Sequence, residues 1–178
     1  FLDIAGEDFR RLLQSRRAMT GRTGCGVCGS VDLKSLHTAL PTVPAMPPIP
    51  LAAIRHAVNT LAGHQTLNAQ VHMVHGAAWC AADGSLRMIR EDVGRHNALD
   101  KLIGAGLRQN VCFSEGFCLI TSRCSFEMVQ KAILAGFSTL VAMSAPTTHA
   151  LRLAEQAGLT IVALARRSSQ SLFTGTVG

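Results

Sequence analysis

The sequence predicts an α/β fold: a mixed, mostly parallel sheet flanked by helices. Three observations carry this. Two apolar runs bracket Asp83-Gly84, the pattern of a β-hairpin. Beyond it, helical and strand patterns alternate along the chain. Two of those helical patterns stop at a glycine, Gly136 and Gly158, just before a short apolar run. With 178 residues, 48% of them hydrophobic, the chain is long enough for one domain with a sizeable core.

The elements follow in order. Glu7 to Arg17 places Phe9, Leu12 and Leu13 at helical spacing with arginines on the other side, a short amphipathic helix. A glycine-framed cysteine loop follows. The run from Pro41 to Pro50 holds too many prolines for regular structure and reads as an extended connector. Pro50 suits the start of a helix over Leu51–Ala62. Val71–Cys80 and Leu86–Arg90 are the hairpin strands. His96–Arg108 is helical, Phe117–Thr121 a buried strand, Ser125–Ala135 a helix with Met128, Ile133 and Leu134 in the core. Thr139–Met143 is a strand, Thr147–Ala157 a helix and Leu159–Ala165 the last strand. The organisation is thus residues 1–49, holding helix, cysteine loop and connector, and residues 50–178, the α/β ligand-binding domain.

Composition narrows the function. No apolar run reaches the roughly 18 residues of a membrane helix. The start, Phe1-Leu2-Asp3-Ile4, lacks an initiator Met and the charged, then apolar, pattern of a signal peptide, as in the middle of a longer protein. Six cysteines without a repeating spacing argue against a secreted disulfide scaffold and for a reducing, cytoplasmic setting. A net charge of +6 and a pI near 9.4 suggest an anionic partner. With 4% aromatic residues and no Tyr, stacking platforms for nucleic acid are missing.

In open α/β sheets ligands bind beyond the carboxyl ends of the strands. Those ends carry Thr121-Ser122-Arg123, Ser144-Ala145-Pro146-Thr147-Thr148 and Arg166-Arg167-Ser168-Ser169. Any one of them is an ordinary helix cap. Three together, two with arginine, favour a phosphorylated or nucleotide-like ligand. Glu91 to Asn97, with Asp100 and Lys101 beyond, clusters charge where Gly94 opens a helix. It suits anion contact or acid–base work as well as plain capping with surface ion pairs. His72 and His75 flank a strand, where a lone histidine is more often a packing residue than a ligand.

The dithiol in Thr23-Gly24-Cys25-Gly26-Val27-Cys28-Gly29 has the most chemistry to offer. Its glycines make the loop pliable, and Arg10, Arg11, Arg16, Arg17 and Arg22 upstream favour the thiolate. A closed zinc site needs four ligands, and only one Cys-x-x-Cys exists. A thioredoxin-type pair follows a strand at a helix start, whereas here a helix precedes and a Pro-rich segment follows. An incidental structural pair fits poorly among Gly and Arg. A carrier thiol, holding sulfur as a persulfide, fits the loop best.

Four phrases in order extend this reading. They are Gly24-Cys25-Gly26-Val27-Cys28-Gly29, His75-Gly76-Ala77-Ala78-Trp79, the run from Glu91 to Lys101 (EDVGRHNALDK), and the run from Ser122 to Lys131 (SRCSFEMVQK). Over nearly its whole length the chain resembles the FdhD family of formate dehydrogenase accessory sulfurtransferases. The resemblance implies a cytidine-deaminase-like α/β fold, preceded in full-length members by a small β domain absent from this chain. It implies a sulfurtransferase that takes sulfur from a cysteine desulfurase. The sulfur goes to the molybdenum (or tungsten) bis-molybdopterin guanine dinucleotide, which then enters the catalytic subunit of formate dehydrogenase. It further implies a homodimer; composition, as above, argues against nucleic acid and membrane as partners.

By match to the family pattern, Cys25 carries the persulfide and Cys28 assists or resolves it. The family's cofactor-binding run falls on Leu164, Ala165, Arg166, Arg167, Ser168 and Ser169. Ser122, Arg123 and Ser144 at the strand ends, Arg95 at the helix start and His75 at the strand flank complete the candidate cofactor contacts. Deaminase chemistry does not carry over, because His75-Gly76-Ala77 lacks the acid and Ser122-Arg123-Cys124-Ser125 replaces the zinc thiolates; no metal site is expected. Gly76 stands where the family commonly has Ala, and Cys124 where it has a small apolar residue. Two rival roles remain: a cofactor-binding chaperone that moves no sulfur, and a redox- or metal-sensing dithiol protein.

Overall fold

A computed structural model of the chain describes Gly6, Glu7 and residues 40–178. The chain divides into two units, Phe1–Ala39 and Leu40–Gly178. In the first, Gly6 and Glu7 are helical; the rest of the helix expected to Arg17, and the cysteine loop, lie outside the described residues.

The second unit is built on one six-stranded sheet. Its elements are α1 (Leu51–His64), α2 (Thr66–Val71), β1 (His75–Ala81), β2 (Leu86–Asp92), α3 (Arg95–Arg108), a 3-10 turn (Phe113–Glu115), β3 (Gly116–Ile120), α4 (Phe126–Ala135), β4 (Thr139–Ala142), α5 (Thr148–Ala157), β5 (Thr160–Ala163) and β6 (Ser171–Thr174). The strand order is β2-β1-β3-β4-β5-β6. β3, β4 and β5 run parallel, while β2–β1, β1–β3 and β5–β6 are antiparallel. The parallel portion is therefore the centre of the sheet rather than most of it.

Proline sets the start of α1. Pro50, with φ −60° and ψ 135°, caps the helix from outside and its carbonyl accepts from Ala53 and Ile54. Ala53, Ile54, Ala57, Val58 and Leu61 form the buried stripe, at the spacing that puts one face on the sheet. This stripe packs with Ala78, Cys80, Phe117, Leu119, Val141 and Val162, the residues that alternation sends to that side. The hairpin turn is secured locally: Asp83 accepts from both the N–H and the hydroxyl of Ser85 at 2.9 and 2.6 Å.

Three expectations are corrected. The strand expected from Val71 begins at His75; Val71 instead ends α2, and His72, at φ 52°, closes that helix. α2 holds because the Glu91 carboxylate accepts from the N–H groups of Leu67 and Asn68 at 2.8 and 2.9 Å, capping a helix more than twenty residues away. The strand at Thr160–Ala163 is not the last. β6 follows it, pinned by Thr174, whose hydroxyl accepts from Ile161 N–H and donates to the Leu159 carbonyl. Leu134 is 62% exposed rather than core, lying one position past the buried stripe of α4 that ends at Ala132 and Ile133. No helix among the described residues is long and apolar enough to cross a membrane.

Candidate functional site

One edge of the sheet gathers the predicted residues, because parallel strands place their carboxyl ends side by side. Backbone bonds lace the three loops that leave β3, β4 and β5. Cys124 N–H donates to Ala145 O at 3.3 Å and Thr147 N–H to Cys124 O at 3.1 Å. Leu164 N–H reaches Ser144 O at 3.4 Å and Ala165 N–H reaches Ala142 O at 3.0 Å. β1 is antiparallel to β3, so its first residues join the same edge. Gly76 N–H donates to the Thr121 hydroxyl at 2.9 Å, and Thr121 N–H returns to Gly76 O at 3.0 Å. His75 pairs in register with Asp92, at the end of β2, which leads into α3.

Within this edge the side chains differ in what they offer. Arg123, Arg166, Arg167, Ser168 and Ser169 are exposed. Arg166 N–H closes a tight turn on Ser169 O at 2.7 Å, and the Gln170 side chain ties to Arg166 O at 2.7 Å. Ser122 is 3% exposed and turns its hydroxyl to the Arg123 carbonyl. Ser144 is half-buried, and its carbonyl is committed to Leu164. Ala165 is fully buried and packs into the core. Leu164 is bulky yet sits at φ 52°, a left-handed conformation that such a residue adopts only when its surroundings impose it, a feature that clusters at ligand sites.

His75 is half-buried between arginines. Burial pushes its pKa down, and the charges of Arg95 and Arg123 push it further the same way. The three side chains therefore share one electrostatic neighbourhood. His96 is depressed by burial and by Arg95, with Glu127 pulling in the opposite direction.

The charged run that opens α3 serves the fold. Asp92 accepts from Lys101 at 2.5 Å, from Gly94 N–H at 2.9 Å and from Asn97 at 3.2 Å. Those bonds hold its carboxyl down to about 2. Lys131 and Asp100 pair between α4 and α3. Arg95 alone of this run keeps a buried polar atom, Nε, with no partner.

Sequence reasoning missed two residues with the same property as Arg95. The Ser125 hydroxyl and both carboxylate oxygens of Glu127 are buried without a hydrogen-bond partner, at the first turn of α4. The only local signal was an acidic residue at a helix start, which is ordinary dipole chemistry.

Thiol chemistry is excluded from most of the described cysteines. Burial pushes the thiols of Cys80 and Cys124 up to about 12, and that of Cys118 well above its ordinary value, so none supplies a thiolate. Cys112 is exposed, with its sulfur 3.2 Å from the Ser114 hydroxyl, at the far end of α3 from the strand-end loops. Cys25 and Cys28 lie outside the described residues. Among those described, no group of three or more His, Cys, Asp or Glu side chains could hold a metal ion.

The chain is similar to known proteins over most of its length. It is 47% identical to the sulfur carrier protein FdhD of Variovorax paradoxus and 42% identical to that of Bordetella petrii, in each case over 97% of this chain. The chain spans 62% of the length of those relatives. A crystal structure assigned as a formate dehydrogenase accessory protein from Desulfotalea psychrophila superposes with a TM-score of 0.70 at 28% identity, covering 81% of this chain and 61% of the other. The model of the FdhD/NarQ family matches residues 2–177, and on that coverage this chain belongs to the FdhD/NarQ family.

Proposed function

We propose that this chain supplies the sulfur-carrying and cofactor-binding parts of a sulfurtransferase that matures formate dehydrogenase. Its substrate is the molybdenum or tungsten bis-molybdopterin guanine dinucleotide, and its sulfur donor is a cysteine desulfurase. The Cys25 thiolate attacks the outer sulfur of the donor's persulfide; the donor's S–S bond breaks, the donor leaves as a thiolate, and Cys25 holds the sulfane sulfur. Cys28 resolves the intermediate. Its thiolate attacks the inner sulfur of Cys25, sulfide departs to the metal, and a cellular thiol later reduces the Cys25–Cys28 disulfide. The sulfurated cofactor then passes to the catalytic subunit of formate dehydrogenase.

The observation that carries this reading is the gathering on one sheet edge of His75, Arg95, Arg123 and the Arg166–Ser169 turn beside the strained Leu164. Guanidinium groups, hydroxyls and helix starts are what a polyanionic dinucleotide requires. The names of the relatives supply the sulfur; burial removes three thiols as nucleophiles, and the exposed Cys112 lies at the far end of α3 from the strand-end loops, which favours the glycine-framed pair.

Mass spectrometry tests the transfer. Incubated with a desulfurase and cysteine, the protein should gain about 32 Da per sulfur as thiolate attack requires, and Cys25→Ala should gain nothing. Sulfur acceptance by Cys25→Ala defeats the carrier assignment. A wild-type protein that binds the cofactor but never gains sulfur would instead be a chaperone.

A further inference from the structure

The strand-end edge is strongly basic, yet its most isolated group is an acid. Glu127 is 8% exposed, and neither of its carboxylate oxygens has a hydrogen-bond partner. A buried charge without a partner is costly, and such groups in native proteins have a reason. The helix start alone does not supply one, since an exposed Glu would complement the dipole equally well. The neighbours are incomplete in the same way. The Ser125 hydroxyl, 9% exposed, does not cap α4, and Arg95 Nε is buried and unpaired. The Lys131–Asp100 ion pair joins α4 to α3 one turn beyond Glu127 and His96, which sets Glu127 on the seam between the two helices next to the residue that follows Arg95. The charges agree: Arg95 acts on His75 and His96, and Glu127 on His96.

A phosphate alone does not fit this arrangement, because Glu127 would repel it. The matching ligand presents two adjacent N–H donors to the carboxylate and negative charge to Arg95, Arg123 and the uncapped start of α4. Guanine presents a ring N1–H beside an exocyclic amino group. Adenine presents an acceptor where guanine has N1–H, and hypoxanthine lacks the amino group. We propose that Glu127 is the guanine-reading residue of this site: its two oxygens accept from N1–H and N2–H of the base, while Arg95 and the start of α4 face the phosphate side. This deepens the dinucleotide reading given above and rests on it.

The test is calorimetric titration of the full chain with GDP, IDP and ADP, in wild type, Glu127→Ala and Glu127→Gln. The wild type should favour GDP over IDP by about 10-fold or more, the worth of one hydrogen bond to a charged group, and should disfavour ADP further. In Glu127→Ala both affinities should fall, GDP losing two bonds and IDP only its N1–H bond, so that the GDP:IDP ratio drops to near one. Glu127→Gln keeps the shape but loses one acceptor, so it too should bind GDP several-fold more weakly, and it carries the test if the alanine variant fails to fold. A wild-type GDP:IDP ratio retained in either folded variant overturns the assignment of Glu127 alone. A wild-type protein that binds GDP no better than pyrophosphate overturns the dinucleotide reading itself, and this inference with it.

Discussion

The junctions β3–α4 and β4–α5 are built alike and finished differently. Each runs from a buried parallel strand through a polar loop into a ten-residue helix, and each helix ends at a glycine with positive φ. The two helix starts touch, with the rings of Phe126 and His149 5.1 Å apart. In α5 the Thr147 hydroxyl accepts from Ala150 N–H at 3.3 Å and caps the helix. In α4 the equivalent Ser125 hydroxyl caps nothing and is buried without a partner. One junction has spent its polar group on its own fold. The other leaves it unpaired, as it leaves the Glu127 carboxylate and Arg95 Nε.

Two substitutions would break this comparison most directly, and a third sets its scale. At the amino end of β3, a Cβ on Gly116 would lie 2.0 Å from the Cys80 carbonyl oxygen, which is backbone in the middle of the sheet and cannot move aside. Gly116→Ala should lose about 3 kcal/mol or more in urea melts, an overpacking cost against rigid atoms. Thr147→Ala should lose about 1 kcal/mol, the usual worth of a cap. Ser125→Ala should leave stability nearly unchanged, since no bond is lost, while weakening guanine-nucleotide binding. If Ser125→Ala costs as much as Thr147→Ala, the two junctions are equivalent and the contrast is wrong.

That contrast also marks how far the sequence could be read. Periodicity and glycine stops found α1, the hairpin and the three parallel strands, since those signals lie within single elements. α2 was missed because its cap is Glu91, remote in sequence. β6 was missed because Leu172 and Phe173 are both partly exposed, so the strand has no clean alternation and is fixed by Thr174 bonding across to β5. The candidate site was read from the rule about strand ends, and the charges of Arg95 and Arg123 do act on His75. Whether a Ser at a helix start caps or stays free is decided by rotamer and packing. Ser125 and Thr147 therefore look the same in sequence.

Acidity separates the two regions more gently. His75 has its pKa lowered by burial and then by Arg95 and Arg123. The unfolded chain therefore binds the proton more readily than the folded one. Stability rises with pH up to the ordinary histidine value of about 6.5 and is lost as pH falls below it. A bound polyanion reverses the sign for affinity, because it favours protonated His75 beside the two arginines. Between about pH 8 and pH 5, where histidine titrates, GDP affinity should rise several-fold on acidification, and His75→Gln should flatten that slope. An unchanged slope in His75→Gln places the titrating group elsewhere, with His96 the next candidate.

The smallest effect is expected where the site meets the sheet. A Cβ on Gly76 would approach Gln65 Nε2 to 2.9 Å and Gln65 Cδ to 3.4 Å, with Thr121 Cγ2 at 3.5 Å. Gln65 Nε2 is itself buried without a hydrogen-bond partner, and it is the far end of a flexible side chain. Moving it aside breaks no bond. Alanine also restricts the unfolded chain more than glycine, a gain of about 0.5 kcal/mol that offsets the crowding. Gly76→Ala should therefore change stability by less than about 0.5 kcal/mol, against the large loss at Gly116, although both glycines lie at the starts of neighbouring strands. A loss comparable to that of Gly116→Ala would mean that the carboxyl edge is packed as rigidly as the amino edge. The buried, unpaired groups of Arg95, Ser125 and Glu127 would then lack the give that admitting a ligand requires.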